Sequence, residues 1–159
     1  MSVVVIGVDP GDSTGVAALC DGKLIAAFQG TPEDAVTLIE ILLTRFNQPD
    51  HDVTIACERF IQLGGRARTH QPTAQRLGGV IEAIARTYEV RFIWQGPADA
   101  WAIADNALLH RLKMFRTSHD VQQGDANDAN MAVRHAILCL ARLYASTFDA
   151  LLMTTETTD

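Results

Sequence analysis

The chain is poor in cysteine and has neither a long hydrophobic run nor a basic leader. Its three cysteines, Cys20, Cys57 and Cys139, are far apart, and each lies among apolar neighbours. Scattered thiols of this kind are typical of reduced cytoplasmic proteins and do not indicate a disulfide framework. No apolar run approaches the roughly 18 residues of a membrane-spanning helix. The N-terminus lacks the basic region of a signal peptide. These absences predict a cytoplasmic protein without a membrane partner.

The rest of the composition is that of a folded domain. The 159 residues are 48% hydrophobic and 20% charged, a balance that permits one domain with a substantial core. We expect that domain to span residues 1–146. Residues 147–159 are short, threonine-rich and acidic at their end, so they are expected to form a flexible tail.

The charges are unevenly distributed along the chain. The formal net charge of −6 by itself argues against nucleic acid as a partner. However, residues 59–81 and 106–119 contain no acid and hold seven of the 13 lysines and arginines. We expect Phe60, in the first segment, either to stack on bases or to cap the sheet as a core residue. Contacts to nucleic-acid phosphates are expected from Arg59, Arg66, Arg68, Arg76, Arg111, Lys113 and Arg116.

The first strand predicts the first site residue. The run from Val3 to Val8 is apolar, and Asp9 follows it directly, before Pro10 and Gly11. Proline lacks a ladder donor and glycine turns freely, so the strand ends there. A carboxylate at the end of a strand buried on both faces is costly unless it is paired or binds a metal. Asp9 is therefore a candidate metal ligand.

The elements that follow predict an α/β domain. Two strands joined by an Asp21-Gly22 hairpin complete an antiparallel meander of three, and Thr31 caps a helix to about residue 46. A strand at 53–58 ends in Glu58 and, because it follows a helix, should run parallel to the first. The remaining elements are a helix from Pro72, a fifth strand at 90–94, helical residues 97–113 with a break near Asn106, and a last helix. Together they make a five-stranded mixed sheet, three antiparallel strands and then two parallel ones, flanked by helices. Gly78-Gly79 lowers helix propensity and suggests a close approach by another backbone or helix.

The last helix adds two acids. Its apolar stripe, extended backwards, reaches Asp128 and Asp125, three residues apart on the face that packs against the protein. Asp125 also suits a helix cap, because helix N-termini favour acids. Ligand sites lie at the carboxyl ends of parallel strands, where these two acids would join Asp9 and Glu58. Four clustered carboxylates favour hard divalent cations, Mg²⁺ or Mn²⁺, and two such ions promote phosphodiester cleavage.

The histidines and tryptophans show no motif. No His or Cys pair has the spacing of a zinc site, so zinc is not expected. Trp94 and Trp101 are expected in the core or between helices. The surface is the expected place of four histidines, the first of them close to the basic loop: His70, His110, His119 and His135.

Three motifs together resemble the RuvC family of Holliday junction resolvases: Ile6-Gly7-Val8-Asp9-Pro10-Gly11, Ala56-Cys57-Glu58 and Asp125-Ala126-Asn127-Asp128-Ala129. The resemblance implies a ribonuclease H-like fold over residues 1 to about 145. It implies Asp9, Glu58, Asp125 and Asp128 as metal-binding catalytic acids of a Mg²⁺-dependent endonuclease that resolves four-way junctions as a homodimer, with the helix from Pro72 at the dimer position. The family's basic residue before the last helix would be Lys113, Arg111 or Arg116. The compact, acidic chain is similar to a phage-type member.

Other functions would share part of this pattern. Another ribonuclease H-like nuclease, cleaving RNA–DNA hybrids or flaps, would keep the acids and could work as a monomer. A non-catalytic DNA-binding relative would normally have lost one acid. An actin-like ATPase would share the opening Asp-Gly turn, but 159 residues are too few for its second lobe, and no nucleotide cofactor is expected.

Overall fold

The fold is a five-stranded sheet with helices on both faces, and the computed structural model describes residues 1–59, 72–121 and 125–153 of it. The strands are β1 (Ser2–Asp9), β2 (Thr14–Cys20), β3 (Lys23–Gly30), β4 (His51–Glu58) and β5 (Arg91–Gln95). The helices are α1 (Pro32–Phe46), α2 (Pro72–Thr87), α3 (Pro97–Ile103), α4 (Asn106–Arg111), α5 (Ser118–Val121), α6 (Asn127–Leu143) and α7 (Ala145–Met153).

The predicted mixed sheet is confirmed. The strand order is β3-β2-β1-β4-β5, with β1 antiparallel to β2, β2 antiparallel to β3, and β4 parallel to both β1 and β5. Val8 pairs with Cys57, so the next residues along these strands, Asp9 and Glu58, end at the same level. We call this end of the sheet, where β1, β4 and β5 finish, the carboxyl edge.

Alternation along the strands creates two hydrophobic layers. Val4, Ile6 and Val8 of β1 belong to the layer between the sheet and helices α1 and α2. Val5 belongs to the opposite layer, between the sheet and helix α6. Since successive side chains of a strand point to opposite faces, Asp9 falls on the α6 side.

Helix α6 lies directly against the backbone of β1 and β2 at two glycines. A Cβ atom on Gly7 would fall on the carbonyl oxygen of Ala132 and within 2.8 Å of the amide nitrogen of Ala136. A Cβ atom on Gly15 would fall on the carbonyl group of Asp128. Glycine at both positions is therefore what lets the helix reach the sheet and carry its N-terminus to the carboxyl edge.

The C-terminal region differs from its expectation. Residues Ala145–Met153 form helix α7, where a flexible tail was expected from residue 147. Phe148 and Leu151 pack against the core on the α6 side, which explains why this stretch is helical despite its weak local signal. Residues 154–159 lie outside the described part of the chain, and the domain boundary at 146 stays a prediction.

Two smaller expectations have separate outcomes. The break near Asn106 is confirmed, because α3 ends at Ile103 and Asp105 caps α4 by accepting a hydrogen bond from the Leu108 amide at 2.7 Å. Trp94 and Trp101 were expected in the core or between helices, and at 38% and 47% exposed they are not core residues. Each does contact a helix: Trp94 lies against Gly78 of α2, and the Trp101 ring lies 3.7 Å from the Arg134 guanidinium of α6.

The glycine pair in α2 makes room for a ring. A Cβ on Gly78 would lie 2.6 Å from Cη2 of Trp94, so this position accommodates the edge of the indole. A Cβ on Gly79 would meet nothing within 4 Å. The close neighbour of the pair within this chain is therefore a side chain rather than a second backbone.

The length and apolar composition of the described helices bear on whether they could cross a membrane. No single helix among them is long and apolar enough to cross a membrane. Helices α6 and α7 reach that length and composition only together, and they are bent by 118° relative to each other. Most of α6 is buried against the sheet.

The contact between α6 and the sheet makes a testable prediction. Gly7→Ala should lower the free energy of unfolding by roughly 1–3 kcal/mol or more, because backbone atoms of α6 would have to move. Gly96→Ala is the matched control and should change stability by only about 0.5 kcal/mol, because a Cβ atom there would meet only the Asp99 carboxylate, at 3.8 Å. Urea denaturation of both variants measures the difference, and equal stability of the two would contradict the packing described.

Candidate active site

Three of the four predicted acids line one cavity at the carboxyl edge. The cavity has a volume of about 400 Å³ and is bounded by Asp9, Glu58, Asp128 and the loop that follows β1, residues 10–13. Asp9 and Glu58 come from adjacent parallel strands, and Asp128 from the first turn of α6. Elements distant in sequence thus bring three carboxylates to one opening.

The loop after β1 is fixed by hydrogen bonds within itself. The buried Thr14 hydroxyl donates to the carbonyl of Gly11 at 2.8 Å and accepts from the Gly11 amide at 3.3 Å. The Ser13 hydroxyl hydrogen-bonds to the Asp128 carboxylate. The loop therefore connects the end of β1 with the start of α6 across the cavity.

The N-terminus of α6 is capped by a side chain from strand β3. Ala126 occupies the cap position with φ of 62° and offers no side-chain acceptor. Instead, the Gln29 side-chain oxygen accepts hydrogen bonds from the amides of Asp128 at 3.0 Å and Ala129 at 3.2 Å. Gln29 is only 5% exposed. Free amides at a helix start need acceptors, so this long-range cap satisfies two of them and fixes Asp128 relative to the sheet.

The electrostatics of the cavity are those of crowded, partly buried acids. Burial, and then the nearby charges of Glu58 and Asp128, raise the pKa of Asp9 from 3.8 to about 8. Burial also raises the pKa of Asp128, and the charges of Asp125 and Glu58 add to that effect, while the Ser13 hydrogen bond opposes it. Among the described residues, no basic side chain lines the cavity to offset these carboxylates, and a bound cation would do so.

The donor set fits a hard divalent cation. Among the described residues that line the cavity, the ionisable groups are carboxylic acids, including Asp12 of the loop, and oxygen donors of this kind are the ligands that Mg²⁺ and Mn²⁺ prefer. Across residues 1–59, 72–121 and 125–153, no three His, Cys, Asp or Glu side chains are arranged as ligands of a single ion.

Asp125 is placed differently from the other three acids. It is exposed, it does not line the cavity, and its carboxylate accepts hydrogen bonds from the backbone and side chain of Asn127. Asp125 therefore lies one residue before the cap position Ala126, and it accepts the bond from the first amide of α6. Its charge nevertheless reaches Asp128, as the raised pKa of that residue records. The assignment of Asp125 as a ligand stays a prediction.

His135 was expected on the surface, and that expectation was wrong. It is completely buried on α6, and its Nε2 lies 3.0 Å from Oε2 of Glu58. Its Nδ1 lies 2.9 Å from the side-chain amide of Gln95, the last residue of β5. Asp128 and His135 are seven positions apart, two turns of the same helix face, and this spacing was the available signal.

Two of the predicted DNA-contacting residues lie on the other face of the carboxyl edge. Arg59 follows Glu58, and its backbone amide donates to the carbonyl of Gln95 at 2.7 Å. Its side chain lines a hollow of about 230 Å³ together with Ala74, Gln75 and Trp94. Arg76 is exposed on α2, next to Gln75 in sequence. An arginine and a half-exposed indole therefore border the edge that carries the acids.

The second basic segment is not part of the cavity. The Arg116 guanidinium donates to the carbonyls of Met114 at 3.2 Å and Lys113 at 2.7 Å, and it lines a hollow beside β3. Asn130 of α6 clamps the Arg116 backbone with bonds of 2.8 and 2.9 Å. Arg111 and Lys113 make no ion pair in the portion of the chain that the structure describes. None of the three lines the cavity.

Three further predicted residues lie outside the described ranges. They are Phe60, Arg66 and Arg68. Their roles in DNA binding stay predictions from the sequence.

The chain was compared with known proteins. No protein-family model and no curated protein sequence matches it. Solved structures do match. The structure of Thermus thermophilus RuvC in complex with a Holliday junction substrate is similar over 89% of this chain and 96% of that chain, with a TM-score of 0.56 and 15% sequence identity. A second Thermus thermophilus RuvC structure is similar over 97% of both chains, with a TM-score of 0.51 and 16% identity.

These likenesses agree with the topology described above. The mixed sheet, with three antiparallel strands and two parallel ones between layers of helices, is a ribonuclease H-like fold. Within that class, the chain has the fold of RuvC. The fold implied by the sequence motifs is confirmed.

The pKa of Asp9 makes a prediction about stability and pH. Because its pKa is about 8 in the folded protein and 3.8 in an unfolded, solvated chain, the folded protein keeps a proton that the unfolded chain releases. Stability without divalent cations should therefore fall as the pH rises from about 4 to about 8.

Asp9→Asn should remove this loss, making the variant more stable than wild type at alkaline pH by on the order of a few kcal/mol. Unfolding in the presence of EDTA at about pH 5 and about pH 9 measures the effect. A difference between variant and wild type that does not grow with pH would contradict the raised pKa.

Proposed function

We propose that this protein is a divalent-cation-dependent endonuclease that cleaves branched DNA, with the four-way junction as its main substrate. The observation that carries the proposal is the convergence of Asp9, Glu58 and Asp128 on one cavity at the carboxyl edge. The RuvC fold supports the same reading, since one of the similar structures is a RuvC complex with a Holliday junction substrate.

The acids have distinct positions for holding cations. Asp9 interacts with both of the other acids in the cavity, since the charges of Glu58 and Asp128 each raise its pKa. It is therefore the candidate for a ligand shared between two cations, which Glu58, Asp128 and Asp125 would also hold. Two bound Mg²⁺ ions would supply an activated water and stabilise the leaving oxygen. In the reaction, water adds to phosphorus, one ester P–O bond breaks, and a phosphate monoester and a hydroxyl result.

Binding of the substrate is assigned to the opposite side of the same edge. Arg59 and Arg76 would contact phosphates, and the hollow beside Trp94 lies next to the strand that carries Glu58. Phe60, Arg66 and Arg68 would extend that surface. A strand of DNA crossing the carboxyl edge would then meet cations on one face and arginines on the other.

Cleavage of RNA–DNA hybrids or flaps is the second candidate, because the same acids would serve it. The deciding experiment offers four-way junction, flap, fork, duplex and hybrid substrates at equal concentration, with Mg²⁺ and with Mn²⁺. Preferential, symmetric cutting of the junction supports the proposal. Cutting of the hybrid alone would assign the second function, and binding without cutting would assign a non-catalytic role.

Cutting a junction on two symmetric strands calls for two copies of the chain, and α2 is the proposed dimer surface. Val80 on α2 is 47% exposed, and Gly79 beside it leaves space for a close approach.

Val80→Glu should shift the protein towards monomer in sedimentation velocity. Ile41→Glu, at a 58% exposed position of α1, is the control and should leave the mass unchanged. A wild-type protein that stays monomeric with and without junction DNA would contradict the dimer.

The acids should be required for cleavage and not for binding. Asp9→Asn and Asp128→Asn should lower the cleavage rate by roughly 10³-fold or more, because each removes a negative ligand for cations that stabilise the transition state by several kcal/mol. Junction affinity measured by anisotropy should be retained. Asp50→Asn, an exposed acid at the opposite end of β4, is the matched control. Mg²⁺-dependent cutting at the wild-type rate by either site variant would refute the assignment.

The arginines beside the edge should control the salt dependence of binding. Replacing Arg59 and Arg76 with alanine should weaken junction binding and lower the slope of log affinity against log salt by roughly 1 for each arginine. Arg86→Ala, at the far end of α2, removes one positive charge, as each of the two replacements does, and should leave the slope unaltered. An unchanged slope in the double variant would move the DNA surface elsewhere.

A further inference from the structure

We propose that His135 is a positioning residue for Glu58: its imidazole, oriented by Gln95, fixes one carboxylate oxygen of Glu58 so that the other is presented to a divalent cation in the cavity. The inference deepens the proposed function and rests on it only in taking the cavity to be a cation site. It assigns a role to a buried histidine that contacts neither substrate nor cation.

The contacts on the two sides of the imidazole carry the proposal. Nε2 of His135 lies 3.0 Å from Oε2 of Glu58, and the histidine side chain is fully buried while that of Glu58 is 19% exposed. A neutral imidazole has one donor and one acceptor nitrogen. The group that bonds to Nδ1 therefore determines whether Nε2, the nitrogen that faces Glu58, carries the proton.

The Gln95 side chain determines which nitrogen of His135 carries the proton, because its amide also bonds to the backbone of α6. In one orientation of its amide, the nitrogen donates to the carbonyl oxygen of His135 at 3.0 Å and to Nδ1 at 2.9 Å, while the oxygen accepts from the Cys139 amide at 3.3 Å. The reverse orientation would set oxygen against oxygen and nitrogen against nitrogen. Gln95 is only 2% exposed, and unpaired polar groups at such depth are costly. The satisfied orientation makes Nδ1 an acceptor and places the proton on Nε2.

This hydrogen bond fixes the direction of the Glu58 carboxylate without removing its negative charge. A neutral Nε2–H donor holds Oε2, which leaves Oε1 as the oxygen available to the cavity. An imidazolium in the same place would instead compete with a cation for the negative charge. Groups that orient ligands from behind a metal site typically change metal affinity by about 10–100-fold when they are removed.

The test compares two substitutions that differ in the donor. A glutamine side chain can offer an N–H near the position of Nε2, whereas a leucine cannot. Mn²⁺ binding to the full-length protein is measured by calorimetry, without DNA. His135→Leu should weaken Mn²⁺ affinity by about 10–100-fold. His135→Gln should retain affinity within about 3-fold of wild type, well inside that range.

A control separates positioning from stability. Ile137→Ala removes a fully buried side chain from the same helix and should lower the melting temperature in EDTA, because it leaves a cavity in the core. It should leave Mn²⁺ affinity unchanged. Gln95→Leu provides a second test that keeps the imidazole in place, and it should weaken Mn²⁺ binding in the same direction as His135→Leu.

The outcomes separate this inference from the proposed function. Wild-type affinity in both His135→Leu and Gln95→Leu would overturn the positioning role, and so would an equal loss in His135→Gln and His135→Leu. Mn²⁺ binding by wild type without cleavage of any nucleic acid would overturn the nuclease and leave the role of His135 intact.

Discussion

Backbone carbonyl groups of α6 lie directly against the backbone of β1 and β2 at two glycines, and the arrangement of the cavity depends on that contact. Side chains at Gly7 or Gly15 would displace the helix, and Asp128 with it. Gln29 complements the contact by binding the first free amides of α6 from the neighbouring strand β3. The distance from Asp128 to the two strand-end acids is therefore set by close packing of the helix on the sheet rather than by the chain segments that connect these elements.

The same packing makes the cavity electrostatically unfavourable. Asp9 is held where burial and two neighbouring carboxylates oppose its ionisation, and no described basic side chain lines the opening. A fold that was selected for stability alone would relieve this repulsion with a lysine or a neutral side chain. The three acids thus lower stability, a cost that is common at functional sites and that the proposed binding of cations would explain.

The sequence predicted those features that have a local signal. An apolar strand ending in an acid revealed Asp9 and Glu58, the helical stripe revealed Asp128, and turn residues and caps revealed the order of the elements. It did not reveal Gln29, Gln95 or His135, because each is a polar residue within an apolar element whose partner is distant in the chain, at a separation of 99 residues for Gln29 and Asp128. Helix α7 was missed because its stability comes from packing of Phe148 and Leu151, not from local propensity.

Glu58 and Arg59 are consecutive residues at the end of one strand, yet their side chains serve opposite faces of the sheet. One reaches the α6 side and His135, and the other reaches the α2 side and the hollow beside Trp94. The two faces share the β4 backbone and the bond from the Arg59 amide to the Gln95 carbonyl, while the described residues that line the cavity and the hollow are different ones. Under the proposed function, the residues that recognise the substrate and those that hold the cations would belong to opposite faces, so that substitutions in the hollow would leave the acids of the cavity in place and recognition could diverge while the chemistry stays constant.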